Sequence, residues 1–525
     1  MGRLIPNAFN LMVVITVALG SMACSYGMAV ISATIGQPMF YTDLDLTPQG
    51  EPGYSHTANL IGAMNGLNSA GSALGAAFTS WSADKFGRLR SIQMGAIVLI
   101  IGAGLCAGSV NVAMFLVARV IAGWGIGMLV TAIPMYQAEV STPESRGFMV
   151  SLHGVLFAVG YMTSAWIGFG VYFISASGST SSFPWRFPLA FQAVPAALLL
   201  CLSPWLPFSP RWLLQNDRPD EAYEIIKRLH HTKESTDDSQ VKREFFQMKK
   251  QLELDRQIKA KTGRFEVFAT APNRKRAYVG FTLMFGNQFT GVLIVANYGV
   301  LLYSSLGMED YMPLLLAALW VTASFPGNVF TAFFVDKIGR RFFLLTGLAG
   351  LVVTNSFEAA LQAQFLGTDN TAGQKAAVFF IFLFIFFWST FLDASQFVYL
   401  AEIFPTHIRS QGVALGMVGM YTSSIILLVA GPIALDEITW KFYLILIIPT
   451  ALHFLNVYFF FPETKQRSLE DINQAFGEQV AVHYYGATAE EEEEYAKAMA
   501  DLEVNGVSSG EDSKKKLVVE QVENA

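Results

Sequence analysis

Acids and bases recur in this chain at matched spacing. Asp84-Lys85-Phe86-Gly87-Arg88 returns 252 residues later as Asp336-Lys337-Ile338-Gly339-Arg340-Arg341. Glu139 precedes Arg146 by seven positions, and Glu402 precedes Arg409 by seven. Phe208-Ser209-Pro210-Arg211 is echoed by Phe461-Pro462-Glu463-Thr464-Lys465. Acids and bases at neighbouring helix ends can pair and separate, so the set suits a latch with two states better than a catalyst. Surface pairs worth about 0–1 kcal/mol each would bias such states rather than hold a fold. Topology signals alone would account for the bases but not for the paired acids.

A second group lies inside apolar sequence. Ser389, Asp393 and Gln396 stand at i, i+4 and i+7, on one face of a regular helix, with Phe397 beside them. Asp393 reads as a substitute proton site, as a ligand for a basic or hydroxylated solute, or as a hydrogen-bonded structural carboxyl. Arg119 costs about 2.5–3.5 kcal/mol to insert into a bilayer, so it is expected to face a polar cavity or the acidic latch. Glu358 is expected at an outer interface, and His453 in a core or interface. The sequence contains no metal-ligand cluster, P-loop or nucleophile elbow, so no metal or cofactor is expected and an enzyme is not indicated. Cys24, Cys106 and Cys201 fall in apolar runs, which supports no disulfide framework.

The elements that must position these residues are membrane spans. Of 525 residues 53% are hydrophobic and 14% charged, and the mean hydropathy is +0.40. That leaves too little polar surface for soluble domains. Apolar stretches able to cross roughly 30 Å of hydrocarbon fall at 9–35, 58–83, 91–110, 112–135, 148–173, 188–207, 277–303, 312–335, 342–365, 376–400, 410–432 and 440–461, here called spans 1 to 12. Of the 35 Lys and Arg, only Arg186, Lys375 and Lys441 fall on the other side from the rest, with Arg119 inside a span. The positive-inside rule then places both termini in the cytoplasm. The net charge of -6 argues against nucleic acid as a partner. The expected fold is an all-α membrane protein of twelve transmembrane helices in two pseudo-symmetric six-helix bundles with an intracellular helical insert. Its expected divisions are 1–207, a cytoplasmic linker with short helices at 208–276, 277–465, and a mostly disordered cytoplasmic tail at 466–525.

These motifs resemble the sugar porter family of the major facilitator superfamily, in its fungal form. The likeness covers roughly residues 9–475. It rests on the two Asp-Lys-x-Gly-Arg loops, Pro143-Glu144-Ser145-Arg146-Gly147, Ser209-Pro210-Arg211-Trp212-Leu213, Ala401-Glu402-Ile403-Phe404-Pro405-Thr406 and Pro462-Glu463-Thr464-Lys465. The resemblance implies alternating access to a central solute site. It also implies a gating network of Asp84, Arg88, Glu139, Arg146, Asp336, Arg340, Arg341, Glu402 and Arg409.

The likeness weakens at the centre. Cys24-Ser25-Tyr26-Gly27 stands where proton-coupled relatives have Phe-Gly-Tyr-Asp, while the arginine partner, Arg119, is kept. Gly154 follows His153 where the family has a sugar-binding Gln. Asn287-Gln288-Phe289-Thr290-Gly291 replaces Gln-Gln-Leu-Ser-Gly, and Leu293 replaces a further amide. Ser324, Phe397 and Met420 replace Asn, Trp and Asn. Candidate solute contacts are Asn287, Gln288, Asn297, Tyr298, Ser324, Ser389, Asp393, Gln396 and Phe397. Each unpaired buried hydroxyl costs about 1–3 kcal/mol, so the lost amides point to fewer solute hydroxyls or to contacts from other positions.

The expected function is secondary transport of a small polar solute, a monosaccharide or related sugar or polyol, by facilitated diffusion across the cell membrane. A non-sugar metabolite carrier, proton-coupled through Asp393, and a non-transporting nutrient sensor are the alternatives. The expected partners are the solute, the lipid bilayer and, in the coupled alternative, a proton. The oligomeric state is left open and a monomer is compatible.

Overall fold

The computed structural model describes residues 7–477 except 49–50, 143, 177–179, 231–238, 260–265, 306–307, 309–310, 366–369 and 468–471. Residues 478–525, most of the expected tail, lie outside the described residues. Eleven of the described helices are long and apolar enough to cross a membrane. The remaining expected span is the helix Tyr54–Lys85, whose 32 residues reach about 48 Å. It is less apolar because its buried face carries polar and small residues such as Asn65, Asn68, Ser69 and Ser72. A Cβ on Gly71 or Gly75 would sit 2.2 and 2.1 Å from the Val120 and Trp124 carbonyl oxygens of span 4, so small residues let the two backbones touch.

Span 1 is Ala8–Ile35, and spans 3 to 5 are Arg88–Ala107, Val112–Val140 and Arg146–Ala176. Span 6 consists of Phe183–Phe191 and Ala193–Leu202 on either side of Gln192. Spans 8, 9, 11 and 12 are Met312–Ile338, Arg340–Phe365, Arg409–Ile438 and Phe442–Phe460. The two halves meet where span 2 packs on span 11 and span 5 on span 8. Each pair is the counterpart of the other under a six-span repeat.

Besides span 6, two spans depart from the expected continuous helix. Span 7 divides into Ala271–Gln288 and Val292–Ser305, and Gly291 at the break has φ +101°. Span 10 runs Thr371–Phe387, then a π-helical stretch Trp388–Asp393, then Ala394–Glu402. A π turn inserts one residue into the helical register, a departure that recurs at functional sites.

Between the halves lie the helices Pro210–Gln215, Pro219–His230 and Ser239–Lys259. Their apolar faces form a small core of their own around Trp212, Leu213, Ile226, Phe245 and Met248. His407 joins this insert to the loop after span 10, with Asp255 Oδ2 3.0 Å from Nδ1 and Glu266 Oε1 3.6 Å from Nε2.

Candidate functional site

The repeated motifs converge at one end of the molecule. Gly87 and Gly339 have φ of +91° and +116°, a region that only glycine enters readily, and each allows an abrupt turn into the next helix. Arg88 and Arg340, the first residues after those turns, fold back onto the carbonyls of Ala83 (3.1 Å) and Val335 (3.3 Å). Arg88 Nε then reaches Glu139 Oε2 at 3.0 Å, and Arg340 Nη2 reaches Glu402 Oε1 at 2.8 Å. Each glutamate also takes an arginine from the opposite half. Arg409 Nη1 lies 3.1 Å from Glu139 Oε1, and Arg146 Nε lies 2.9 Å from Glu402 Oε1.

Asp336 accepts from the backbone N–H groups of Gly147 (3.1 Å) and Phe148 (2.7 Å) at the start of span 5. Asp84 accepts from the Ser410 hydroxyl at 2.7 Å at the start of span 11. The network therefore ties each half to the other at equivalent places. Arg341 does not cross. Its backbone N–H donates to Glu463 at 3.0 Å and its side chain reaches the Tyr458 carbonyl, both within the second half.

The expectation of weak surface pairs fails here. Arg88, Arg146, Arg340, Arg409, Glu139 and Glu402 are all buried. Removing one member of such a set leaves an uncompensated charge at about 3–5 kcal/mol. Two hydroxyls complete the glutamates, Ser209 to Glu139 at 2.5 Å and Thr464 to Glu402 at 2.6 Å. Both belong to the third repeated motif. Outside the spans, burial pushes the Arg211 guanidinium down to about 9, the nearby Arg409 adding to this and Glu244 and Glu139 opposing it.

Away from the latch, spans 1, 5, 7, 8, 10 and 11 line a central cavity with about 630 Å³ of empty space, open solvent included. Of the candidate contacts, Gln288, Ser324, Asp393, Gln396 and Phe397 line it. Asn287 stands behind, donating to Gln396 Oε1 at 3.0 Å and contacting His453 Nε2 at 3.2 Å. Asn297 is outside this cavity, with Asn65 and Asn68 in a smaller space nearby. Tyr298 donates to the Leu428 carbonyl at 2.7 Å and accepts from Asn65, bridging spans 2, 7 and 11.

Ser389 is turned toward span 8, where a Cβ on Gly327 would meet its Oγ at 2.2 Å. The i, i+4, i+7 face holds only for a regular helix, and the π turn replaces Ser389 with Trp388 at the cavity wall. Asp393 Oδ2 accepts from Asn328 Nδ2 at 2.8 Å, and Trp388 lines the cavity with it. Phe157, Tyr161, Trp320, Trp388 and Ser424 line the cavity without having been singled out in the sequence. The i, i+4 spacing of Phe157 and Tyr161 was the available signal.

Arg119 is buried away from the cavity and the latch, its guanidinium donating to the carbonyls of Gly27 (3.3 Å) and Met64 (3.4 Å). A Cβ on Gly27 would lie 2.3 Å from Gln192 Nε2, so the missing side chain's space is filled by an amide from the break in span 6. Glu358 is buried, against the interfacial expectation. Its Oε1 accepts from Gln362 Nε2, which also reaches the Tyr443 hydroxyl, both at 2.9 Å.

A sequence profile described as "Sugar (and other) transporter" matches residues 13–476. The MFS-type transporter criB of Aspergillus cristatus is 28% identical, covering 89% of this chain and 93% of the relative. The Sugar transporter STL1 of Saccharomyces cerevisiae is also 28% identical, over 93% of this chain and 86% of that protein. In architecture the chain is similar to the proton:xylose symporter XylE bound to 6-bromo-6-deoxy-D-glucose, with a TM-score of 0.77 at 23% identity, covering 90% of this chain and 100% of that one. The inward open conformation of XylE from E. coli overlays with a TM-score of 0.64 at 22% identity, over 89% and 99% of the two chains. With the profile matched along most of its length, this multi-pass membrane transporter belongs to the Sugar (and other) transporter family.

Proposed function

We propose that the protein carries a monosaccharide or related polyol across the cell membrane by alternating access, with both termini in the cytoplasm. The observation that carries this reading is a buried latch joining the two halves at one end, beyond which a cavity is walled by both halves. Opening the latch would expose the cavity on one side, and closing it would expose the other. In this reading residues 1–207 and 277–465 rock against each other, 208–276 link them on the cytoplasmic side, and 466–525 form a tail.

Facilitated diffusion is the proposed mode. Gly27 carries no carboxylate, and Gln192 fills the space where one would stand. A second reading, proton coupling through Asp393, is favoured by one observation. Asp393 reaches the cavity and has no cationic partner among the described residues. Uptake of labelled hexoses by cells lacking their own hexose carriers tests the first proposal. Saturable uptake indifferent to a protonophore is expected. Uptake abolished by the protonophore, with alkalinisation of the medium, would transfer the case to coupling.

A further inference from the structure

The polar groups turned toward the cavity combine amide donors with several acceptors and one carboxylate. Ser324 and Ser424 donate their hydroxyl protons to the Val321 and Met420 carbonyls, at 2.7 Å each, which leaves only lone pairs for a solute. Gln288 Oε1 is buried with no partner among the described residues. Gln396 Oε1 is occupied by Asn287, so the NH2 groups of Gln288 and Gln396 and the Tyr161 hydroxyl are the donors that remain. Asp393 adds a carboxylate held by the Asn328 amide at 2.8 Å. Among the described residues no Lys, Arg or His lines this space, and Arg119 is engaged with backbone carbonyls elsewhere.

Around Asp393 the wall carries the rings of Phe157, Tyr161, Trp320, Trp388 and Phe397. A carboxylate among aromatic faces, in a cavity without a cation, is the environment that recognises a protonated amine. An ammonium group brings three N–H donors and a positive charge, the complement of the Asp393 carboxylate and the Ser324 and Ser424 lone pairs beside it. A carboxylate or phosphate on the solute would instead meet like charge and lone pairs.

We propose that the solute supplies the positive charge the cavity lacks. The preferred ligand carries a protonated amine that pairs with Asp393, Asn328 acts as the positioning residue for that carboxylate, and anionic solutes are refused. The proposal rests on reading this cavity as the solute site and narrows the class from neutral sugar or polyol to amine-bearing derivatives.

Binding to the purified full chain tests it with two matched sets. The first is glucose, glucosamine and glucuronate; the second is 2-phenylethanol and 2-phenylethylamine. Each amine should bind about tenfold more tightly than its neutral partner, and glucuronate should not bind. Asp393→Asn should erase the ratio within each pair and Asp393→Glu should retain it, with melting profiles confirming that both variants fold. Lowering the pH until the carboxylate protonates should shrink the ratio.

Equal binding of amine and neutral partner in both sets overturns the proposal, as does a preference that survives Asp393→Asn. An amine preference confined to the phenylethyl pair supports the charge proposal and sinks the sugar reading. Glucose bound without amine preference does the reverse. Glucose uptake that carries protons, and loses them in Asp393→Asn, replaces the proposal with a proton site.

Discussion

The latch and the cavity are built on opposite plans. In the latch every principal contact has a twin: Arg88 with Arg340, Glu139 with Glu402, Ser209 with Thr464, Arg409 with Arg146. The cavity has no such pairing. Four of its lining residues come from spans 1 and 5 of the first half, and fourteen come from the second. Rocking two halves requires equal grip on each, which a duplicated network supplies. Recognising a solute without a two-fold axis requires a site that has lost its symmetry.

The comparison is broken most directly at the two glutamates. Glu139→Ala and Glu402→Ala each take the shared carboxylate from two buried arginines, leaving Arg88 with Asp84 at 3.5 Å and Arg340 with Asp336 at 2.7 Å, and each should cost about 3–5 kcal/mol of the latched state. The expected result is a lowered melting temperature and raised reactivity of cysteines introduced at the latch end, of similar size in both variants. If one variant were nearly silent, the twin contacts would not carry equal load and the halves would be unequal partners.

A smaller change tests the position beside Arg119 that Gln192 fills. Gly27→Asp alone should cost about 1–3 kcal/mol, because its Cβ would lie 2.3 Å from the Gln192 amide. Gly27→Asp with Gln192→Ala should recover the loss, since the new carboxylate then has room beside a guanidinium that already donates to the Gly27 carbonyl. Uptake by the double variant is expected to alkalinise the medium, unlike the parent. Recovery without any change in proton movement would mean that the carboxylate alone does not couple transport.

Much of the latch was legible in the sequence because it rests on fixed local geometry. A helix end, a glycine turn and a base on the next helix keep their spacing whatever surrounds them. Two of its features were not legible. Burial of the pairs depends on helices far apart in the chain, and the role of Arg341 depends on the end of span 12. The cavity was harder to read for a local reason. The π turn at Trp388–Asp393 shifts the register, so periodicity assigns Ser389 to a wall that Trp388 occupies. Likewise, Asn297 and Tyr298 lie beyond the break in span 7, where polarity alone does not say which space a side chain enters.

That shift makes a direct test. Gln288→Ala removes a buried amide at the cavity and should weaken solute binding by about 1 kcal/mol, or roughly fivefold in KM. Ser389→Ala should leave KM unchanged within error and act only on packing against Gly327. Equal effects on KM would restore the regular helical face and remove the π turn's influence on the site.

The smallest expected effect lies at a contact that the repeat does not duplicate. His407 stands between Asp255 and Glu266, with Gln251 donating to the other Asp255 oxygen at 2.9 Å and Arg211 donating to the adjacent Thr406 at 3.4 Å. The ring is therefore a contact between the insert and the loop after span 10 that has no twin in the first half among the described residues. His407→Ala should loosen the insert by about 1 kcal/mol. Faster amide exchange in the helix Ser239–Lys259 would report it, while Glu139 and Glu402 keep the latch closed. If exchange were unchanged, or if the whole latch loosened with it, the insert would be part of the symmetric grip rather than an asymmetric control laid over it.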